Sequence, residues 1–216
     1  MPDDAVKPAL RAALRFNEIG DASPFELTFA AKGKSGASFG FMQGDLAAGQ
    51  PEVTKTFRAV LAAAGFAQAK IDALVAQLSV PHATNPLSKA DTDAINTALV
   101  KSAPLVDAMD ENILGGVYGG LDKCTSTATT SGRTITGEAL IFMALWINMT
   151  GPPSKLLTYL KGGDPGLGKP IPKAGNVVDG PTMDTYLGAT DFFIKNPKNL
   201  KHMRASQAVG VAKLPH

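Results

Sequence analysis

Apolar side chains recur every three to four residues along much of the chain, which is the spacing that amphipathic helices show. The first such pattern covers residues 8–17, starts at Pro8 and places Leu10, Leu14 and Asn17 on one face. Proline is favoured in the first turn of a helix, and the alanines, leucines and arginines that follow it favour helix. Similar patterns predict helices over residues 51–65, 67–78, 88–100, 104–117, 152–160, 184–195 and 198–209.

After the first helix, the spacing of the apolar residues changes from a helical to an alternating pattern. Residues 25–29 alternate between apolar and polar side chains, as a half-buried strand does. A polar turn at 32–36 and a second short apolar run at 37–42 complete a predicted β-hairpin. Glycine recurs at every fourth position here, and such glycines let a ligand approach the backbone closely. These glycines are Gly36, Gly40 and Gly44.

Residues 136–149 are apolar almost all round, which is typical of a helix in the middle of a globule. We expect this core helix to pack against the first helix and the hairpin. Its far end carries Asn148, whose amide needs partners, either the polar groups of a ligand or the end of the helix. We therefore predict an α+β protein, predominantly helical, with a small β-hairpin beside a buried core helix. No internal repeat or boundary divides the chain, so one domain over residues 1–216 is expected.

Glu18 is the residue with the most distinctive chemistry. It lies four residues after Leu14, on the same inward face, and just before Gly20, which ends the helix. A carboxylate aimed at an apolar interior loses hydration and holds its proton longer than a free Glu. This is the property of a general acid at neutral pH. The alternative is a frayed helix end whose carboxylate points into water.

The residues after Glu18 carry a family resemblance. The run Gly-Ala-Ser-Phe-Gly-Phe-Met-Gln occupies residues 36–43. A helix-terminal Glu followed by this run resembles the goose-type lysozymes and soluble lytic transglycosylases, whose signature is a catalytic Glu and then Gly-Ala-x-Gly-Leu-Met-Gln. This chain has one extra residue between Ala37 and Gly40, and Phe41 replaces the Leu.

A second block, Ala-Leu-Trp-Ile-Asn-Met-Thr-Gly-Pro at residues 144–152, is similar to the family's Ala-Tyr-Asn-Ala-Gly-Pro. Asn148 and the Gly151-Pro152 pair occupy matching places, with one extra residue between them and Ile147 in place of the Tyr. Ile-Gly also follows Glu18 where the family has Ser. The resemblance implies a lysozyme-like fold that acts on the glycan strands of peptidoglycan.

The hypothesis of a peptidoglycan-cleaving enzyme assigns roles to individual residues, among which Asp45 and Asp21 are candidates because they lie near Glu18 in the sequence. Glu18 would protonate the leaving-group oxygen, and Asp45, or else Asp21, would be the second catalytic group. If neither aspartate faces Glu18, the lytic transglycosylase route is favoured, in which the sugar's own 6-hydroxyl attacks. The predicted substrate-binding residues are Ser38, Gly40, Met42, Gln43, Asn148 and Tyr159.

Two other functions fit the same residues. The altered spacing in both blocks is compatible with a non-catalytic glycan-binding or structural protein on a lysozyme-like scaffold. Hydrolysis of chitosan or chitin is the third option, because related folds act on those polymers.

Composition narrows the choice of partner. The 216-residue chain has a net charge of +2, and its basic residues are scattered, most densely at 195–204. Nucleic-acid binders usually cluster their basic residues, so we predict that nucleic acid is not a partner of this protein. A slight positive charge suits an anionic cell-wall polymer. Cys124 is the single cysteine and lies far from the three histidines, so no disulfide, zinc site or Cys–His pair is predicted, and no cofactor.

Two acidic pairs, Asp91 with Asp93 and Asp107 with Asp110, lack the spacing of a calcium loop. We predict that they lie on solvated helix faces. Residues 124–133 are rich in Thr and Ser and predict a polar loop.

The chain begins Met-Pro-Asp-Asp, which is acidic and polar, unlike a secretory signal. It also lacks a run of about twenty apolar residues of the kind that spans a membrane. If the target is the cell wall, we expect a phage lysis system, a phage tail or a secretion apparatus to deliver the protein there, unless a signal has been trimmed. The sequence leaves localisation and oligomeric state open.

Overall fold

The computed structural model describes residues 3–30, 34–151 and 154–215. The helices are α1 (Lys7–Ile19), α2 (Pro51–Ala63), α3 (Gln68–Leu78), α4 (Lys89–Lys101), α5 (Ala103–Thr130), α6 (Gly137–Thr150), α7 (Ser154–Leu160), α8 (Gly180–Gly188), α9 (Asp191–Lys195) and α10 (Pro197–Val211). The strands are β1 (Thr28–Phe29), β2 (Ala37–Phe39), β3 (Gly44–Asp45), β4 (Thr134–Ile135) and β5 (Val177–Val178). Of the described residues, 63% are helical and 5% lie in strands, which confirms a predominantly helical protein with a small antiparallel sheet.

The chain forms two compact units. The first unit combines Met1–Gly20 with Gly115–His216, and the second is Asp21–Leu114. The boundary at residues 114–115 falls inside α5. The single lysozyme-like domain stays a prediction.

The first unit is built around α6, which contacts α1, α8 and α10. Residues on all sides of α6 are buried, including Phe142, Leu145 and Trp146, as expected for a core helix. Helix α10 lies close to α1, since a Cβ atom on Gly210 would be only 2.8 Å from the carbonyl oxygen of Ala9. Strands β4 and β5 pair in parallel, with Thr134 opposite Val177. Helix α10 thus packs closely on α1, whose C-terminal turn carries Glu18.

The second unit combines an antiparallel three-stranded sheet with α2, α3 and α4. Strand β2 lies in the middle and places Ser38 opposite Thr28 of β1 and Asp45 of β3. Ser88 caps helix α4, because the backbone N–H of Asp91 donates to Ser88 Oγ at 3.1 Å. The core of this unit includes Phe39, Val53, Phe57, Leu61, Ile71, Leu74, Leu78, Ile95, Leu99, Val106 and Met109.

Four sequence-based expectations need correction. The helix predicted at 184–195 is divided into α8 and α9 at residues 189–190, where the Thr190 side chain accepts the backbone N–H of Phe193 and caps α9. The predicted loop at 124–133 is wrong for most of its length, because α5 continues to Thr130. Ser and Thr lower helix propensity only by tenths of a kcal/mol, and buried Leu121, Cys124 and Ala128 recur at helical spacing on one side. The predicted strand at 25–29 is reduced to β1, and β3 adds a strand that the pattern did not indicate.

The fourth correction concerns Asp110. Its side chain is fully buried and does not lie on a solvated face, whereas Asp107 is exposed as predicted. Three predicted features extend beyond the described residues, and one of them is the helix predicted at 152–160, whose first two residues lie outside. The turn at 32–36 includes residues 32 and 33, and Pro152 belongs to the second sequence block; these three residues lie outside the described part of the chain.

Candidate functional site

The C-terminal turn of α1 carries Glu18. The helix ends where Gly20 adopts a φ of 56° and donates its N–H to the carbonyl of Phe16 at 3.0 Å. Glycine suits this position because a positive φ is strained for residues with a Cβ atom. Leu10 and Leu14, on the same face as Glu18, are fully buried. The Glu18 side chain is therefore half-buried at a fixed helix end.

Two amide groups donate hydrogen bonds to the Glu18 carboxyl. Asn148 Nδ2 donates to Glu18 Oε1 at 2.7 Å, and Asn17 Nδ2 donates to the same oxygen at 3.1 Å. Among residues 3–30, 34–151 and 154–215, no hydrogen bond to Oε2 is found. The carboxyl therefore has one oxygen fixed by donors and one oxygen that can carry a proton.

The environment favours the protonated form of this carboxyl. Burial raises the pKa of Glu18 above its usual 4.5 and outweighs the lowering effects of the Asn17 and Asn148 hydrogen bonds and of the charge on His202. The location acts in the same direction, because the C-terminal end of a helix carries partial negative charge. The raised pKa agrees with the expectation from the position of Glu18 beside Leu14. A carboxyl with a raised pKa holds its proton to higher pH than a free Glu, which is the property of a general acid.

Helix α10 contributes contacts that sequence reasoning missed. The ring of His202 stacks on Phe16 with centroids 6.0 Å apart, and His202 Nε2 lies 3.1 Å from the carbonyl oxygen of Asn17. Ser206, which is fully buried, places its Oγ 3.4 Å from Asn17 Oδ1. The only sequence signal was Asn17 itself, a polar residue on an otherwise apolar face of α1.

The second unit contains the glycine-rich turn between β2 and β3. Asp110 accepts the backbone N–H of Phe41 on Oδ2 at 2.9 Å and that of Met42 on Oδ1 at 3.1 Å. Gly40 has a φ of 79°, and a Cβ atom there would lie 2.5 Å from Asp110 Oδ1. The turn is thus fixed by a buried carboxylate. Met42 and Ser38 are themselves buried.

Gln43 holds the same turn from the other side. Its Nε2 donates to the carbonyl of Gly40 at 3.0 Å, and its Oε1 accepts from Thr28 Oγ1 at 2.6 Å. Gln43 also has a φ of 52°, a left-handed conformation that costs a non-glycine residue about 1–2 kcal/mol. Both ends of its amide are engaged within the turn. A hydrogen bond from this amide to a sugar stays a prediction.

Asp45 has a structural role in this unit. Its Oδ1 accepts the N–H of Gly36 at 2.9 Å and that of Ala47 at 2.8 Å, which caps the short 3-10 helix Leu46–Ala48. The two bonds tie β3 to the start of β2. Asp21 is exposed. A catalytic role for either aspartate stays a prediction.

Tyr159, the remaining predicted binding residue, is buried in the first unit. Its ring packs against Tyr186 with centroids 5.1 Å apart, and only 3% of the residue is exposed. Burial raises the pKa of its hydroxyl. Burial leaves the Tyr159 side chain little surface for contact with a substrate, and its role in substrate binding stays a prediction.

Of the predicted site residues, Glu18 and Asn148 are in direct contact, although 130 residues separate them in the sequence. Asn148 was expected to face a sugar or to cap its helix. Instead its amide nitrogen donates to Glu18. Ser38, Gly40, Met42, Gln43 and Asp45 lie together in the second unit, where Asp110, taken from sequence for a surface residue, organises the turn.

Comparison of the chain with known protein families, with curated proteins and with solved structures finds no match. The chemistry of the Glu18 site therefore carries the functional argument.

Two further findings concern the described residues only. None of their helices is both long and apolar enough to cross a membrane. Within that same part of the chain, no cluster of three or more His, Cys, Asp or Glu side chains is placed to hold a metal ion.

Proposed function

We propose that this protein is a lysozyme-like glycosidase that cleaves the glycan strands of peptidoglycan, with Glu18 as its general acid. The observation that carries the proposal is the Glu18 carboxyl at the end of α1. Its pKa is raised by burial, and amide donors from two helices fix one of its oxygens. Cleavage of a glycosidic bond requires a carboxyl that holds its proton to higher pH than a free Glu and gives it to the leaving group.

In the proposed reaction, Glu18 donates its proton to the oxygen between two sugars. The bond from that oxygen to the anomeric carbon breaks, and the oxygen leaves with the electron pair as a hydroxyl. The amides of Asn17 and Asn148 hydrogen-bond the resulting carboxylate and stabilise it. The same carboxylate then takes a proton from the group that attacks the anomeric carbon, which restores the starting form.

The attacking group is either water or the 6-hydroxyl of the same sugar. Water requires a second carboxylate as a base, about 6.5–9.5 Å from the acid in an inverting enzyme, or a nucleophile at about 5–5.5 Å in a retaining one. The capping role of Asp45 favours the second route, because Oδ1 of that carboxylate already accepts two backbone N–H groups. We therefore favour a lytic transglycosylase that forms a 1,6-anhydro product.

Product analysis tests the proposal. Purified peptidoglycan is incubated with the protein, and the soluble products are identified by mass spectrometry. Fragments with 1,6-anhydro ends support the transglycosylase, and fragments with reducing ends support a hydrolase. Glu18→Gln should lower product release at least 10²-fold, while Glu26→Gln, which changes an exposed glutamate, should leave it unchanged.

Three results would contradict the proposal. Undiminished release by Glu18→Gln would remove the assignment of the acid. Binding to cell walls by the wild-type protein without any release would favour the glycan-binding alternative, and release from chitosan or chitin alone would replace the substrate.

A further inference from the structure

The last turn of α1 is held by α10. The carbonyl of Asn17 lies in this turn, where helical carbonyls have no partner within their own helix. His202 Nε2 lies 3.1 Å from this oxygen, and because a carbonyl oxygen only accepts, the imidazole nitrogen must carry the hydrogen. The imidazole also stacks on Phe16, with an interplanar angle of 23°. Two adjacent residues of α1 are thus held by one side chain of α10.

Asn17 links this contact to the acid. Its backbone carbonyl accepts from His202, and its side-chain Nδ2 donates to Glu18 Oε1. The oxygen of the same amide lies 3.4 Å from the hydroxyl of Ser206, which also donates to the carbonyl of His202 at 3.0 Å. The amide is therefore oriented with its oxygen toward α10 and its nitrogen toward the acid.

We propose that His202 is a positioning residue for Glu18: it holds the Asn17 backbone so that the Asn17 amide occupies Oε1 and leaves the proton on Oε2. The proposal rests on the proposed function of Glu18 as an acid. His202 itself touches neither the sugar nor the reacting atoms in this scheme. The groups that act on the carboxyl come from α1, α6 and α10, namely Asn17, Asn148 and His202.

The proposal predicts a combination of kinetic effects. His202→Ala should lower kcat about tenfold, with KM changed less than twofold, because a misplaced acid affects the chemical step. The alkaline limb of the pH profile should move to higher pH. Both the hydrogen bond from Asn17 and the charge of His202 lower the pKa of Glu18, so losing them raises it. A purely structural defect would reduce active protein without moving this limb.

Rescue separates the hydrogen bond from the charge. His202→Gln supplies a neutral amide that can donate to the Asn17 carbonyl, and it should recover at least half of the wild-type kcat. His82→Ala is the matched control. His82 Nε2 lies 2.7 Å from the carbonyl of Gln77, in the last turn of α3, so both histidines bind a helix-terminal carbonyl, but His82 belongs to the other unit. This control should change neither kcat nor the pH limb.

A measurement independent of activity completes the test. The titration of the Glu18 carboxyl is followed by carbon-13 NMR in wild type, His202→Ala, His202→Gln and His82→Ala, each checked for folding by circular dichroism. A higher pKa of Glu18 in His202→Ala, with values near wild type in His82→Ala, supports the proposal. The same Glu18 titration in folded His202→Ala as in wild type would overturn it. If the wild type cleaves no glycan, the proposed function fails while the NMR comparison still decides the positioning role.

Discussion

Removing the Asp110 carboxylate should release the glycine-rich turn in the second unit. Asp110 is fully buried, and its two oxygens accept from the N–H groups of Phe41 and Met42 at 2.9 and 3.1 Å. A hydrogen bond to an ionised group contributes about 1.5–3 kcal/mol. Asp110→Asn keeps one acceptor and presents an N–H₂ group to the other donor, so it should lower the free energy of unfolding by about 1.5–3 kcal/mol. Asp110→Ala loses both acceptors and should cost about 3–5 kcal/mol.

Amide hydrogen exchange by NMR measures this effect at the residues concerned. A loss of about 1.5–3 kcal/mol corresponds to exchange about 10- to 150-fold faster at Phe41 and Met42 in Asp110→Asn. Urea unfolding followed by circular dichroism gives the matching change in the free energy of unfolding. The control is Asp93→Asn, which removes an exposed ion pair with Lys89 on α4 and should cost less than about 1 kcal/mol.

Two results would refute this reasoning. One is unchanged exchange at Phe41 and Met42 in Asp110→Asn. The other is an unchanged free energy of unfolding in Gly40→Ala. A Cβ atom at Gly40, which has a φ of 79°, would lie 2.5 Å from Asp110 Oδ1, so this substitution should destabilise the turn. Either result would mean that the carboxylate does not fix the turn.

Three further predictions concern the first unit. Burial raises the pKa of Glu18 in the folded protein, so the contribution of this carboxyl to stability is present below the unfolded pKa near 4.5 and is lost as pH rises through the folded pKa. Glu18→Gln should therefore be more stable than wild type at pH 7 and equally stable near pH 3. A lower melting temperature of Glu18→Gln than of wild type at pH 7 would contradict this. Gly210→Ala should lower the free energy of unfolding in urea by about 1–3 kcal/mol, because the new Cβ would lie 2.8 Å from the carbonyl oxygen of Ala9. Gly119→Ala, whose new Cβ would have no atom within 4 Å, should raise it by about 0.5–1 kcal/mol. Equal effects of the two substitutions would refute the close packing of α1 and α10. Burial raises the pKa of the Cys124 thiol to about 12, so a thiol reagent at pH 8 should label it only after unfolding in urea, and rapid labelling of the native protein would contradict its burial.

The helices and the face of Glu18 could be predicted from sequence because both depend on local spacing. Residues 8–17 show the period of α1, and the position of Glu18 relative to Leu14 places the carboxyl on the buried side. Gly20 marks the end of the helix. These inferences need only helix geometry and the preferences of single residues.

The partners of Glu18 could not be predicted in this way. Asn148 and His202 come from α6 and α10, and the contact between Asn17 and His202 joins residues 185 apart in sequence. No periodicity encodes such a pairing. Packing of three helices decides it, with Gly210 allowing the close approach of α1 and α10.

The same limit explains the errors about α5. Its Ser- and Thr-rich end was interpreted as a loop because propensity was weighed without burial, yet Cys124 and Ala128 are buried at helical spacing. Asp110 was assigned to a solvated face for a related reason. Its partners, Phe41 and Met42, are 69 and 68 residues away, so only the folded chain shows why a carboxylate is buried there.

The most direct test of the central claim is the pH dependence of glycan cleavage, measured on the protein whose Glu18 carboxyl is titrated by NMR. The alkaline limb of kcat/KM reports the pKa of the acid in the free enzyme. We predict that this limb coincides with the titration of Glu18, above the ordinary value of 4.5, and that it disappears with the activity in Glu18→Gln. A limb that does not follow the Glu18 titration, or one that survives in Glu18→Gln, would contradict the account.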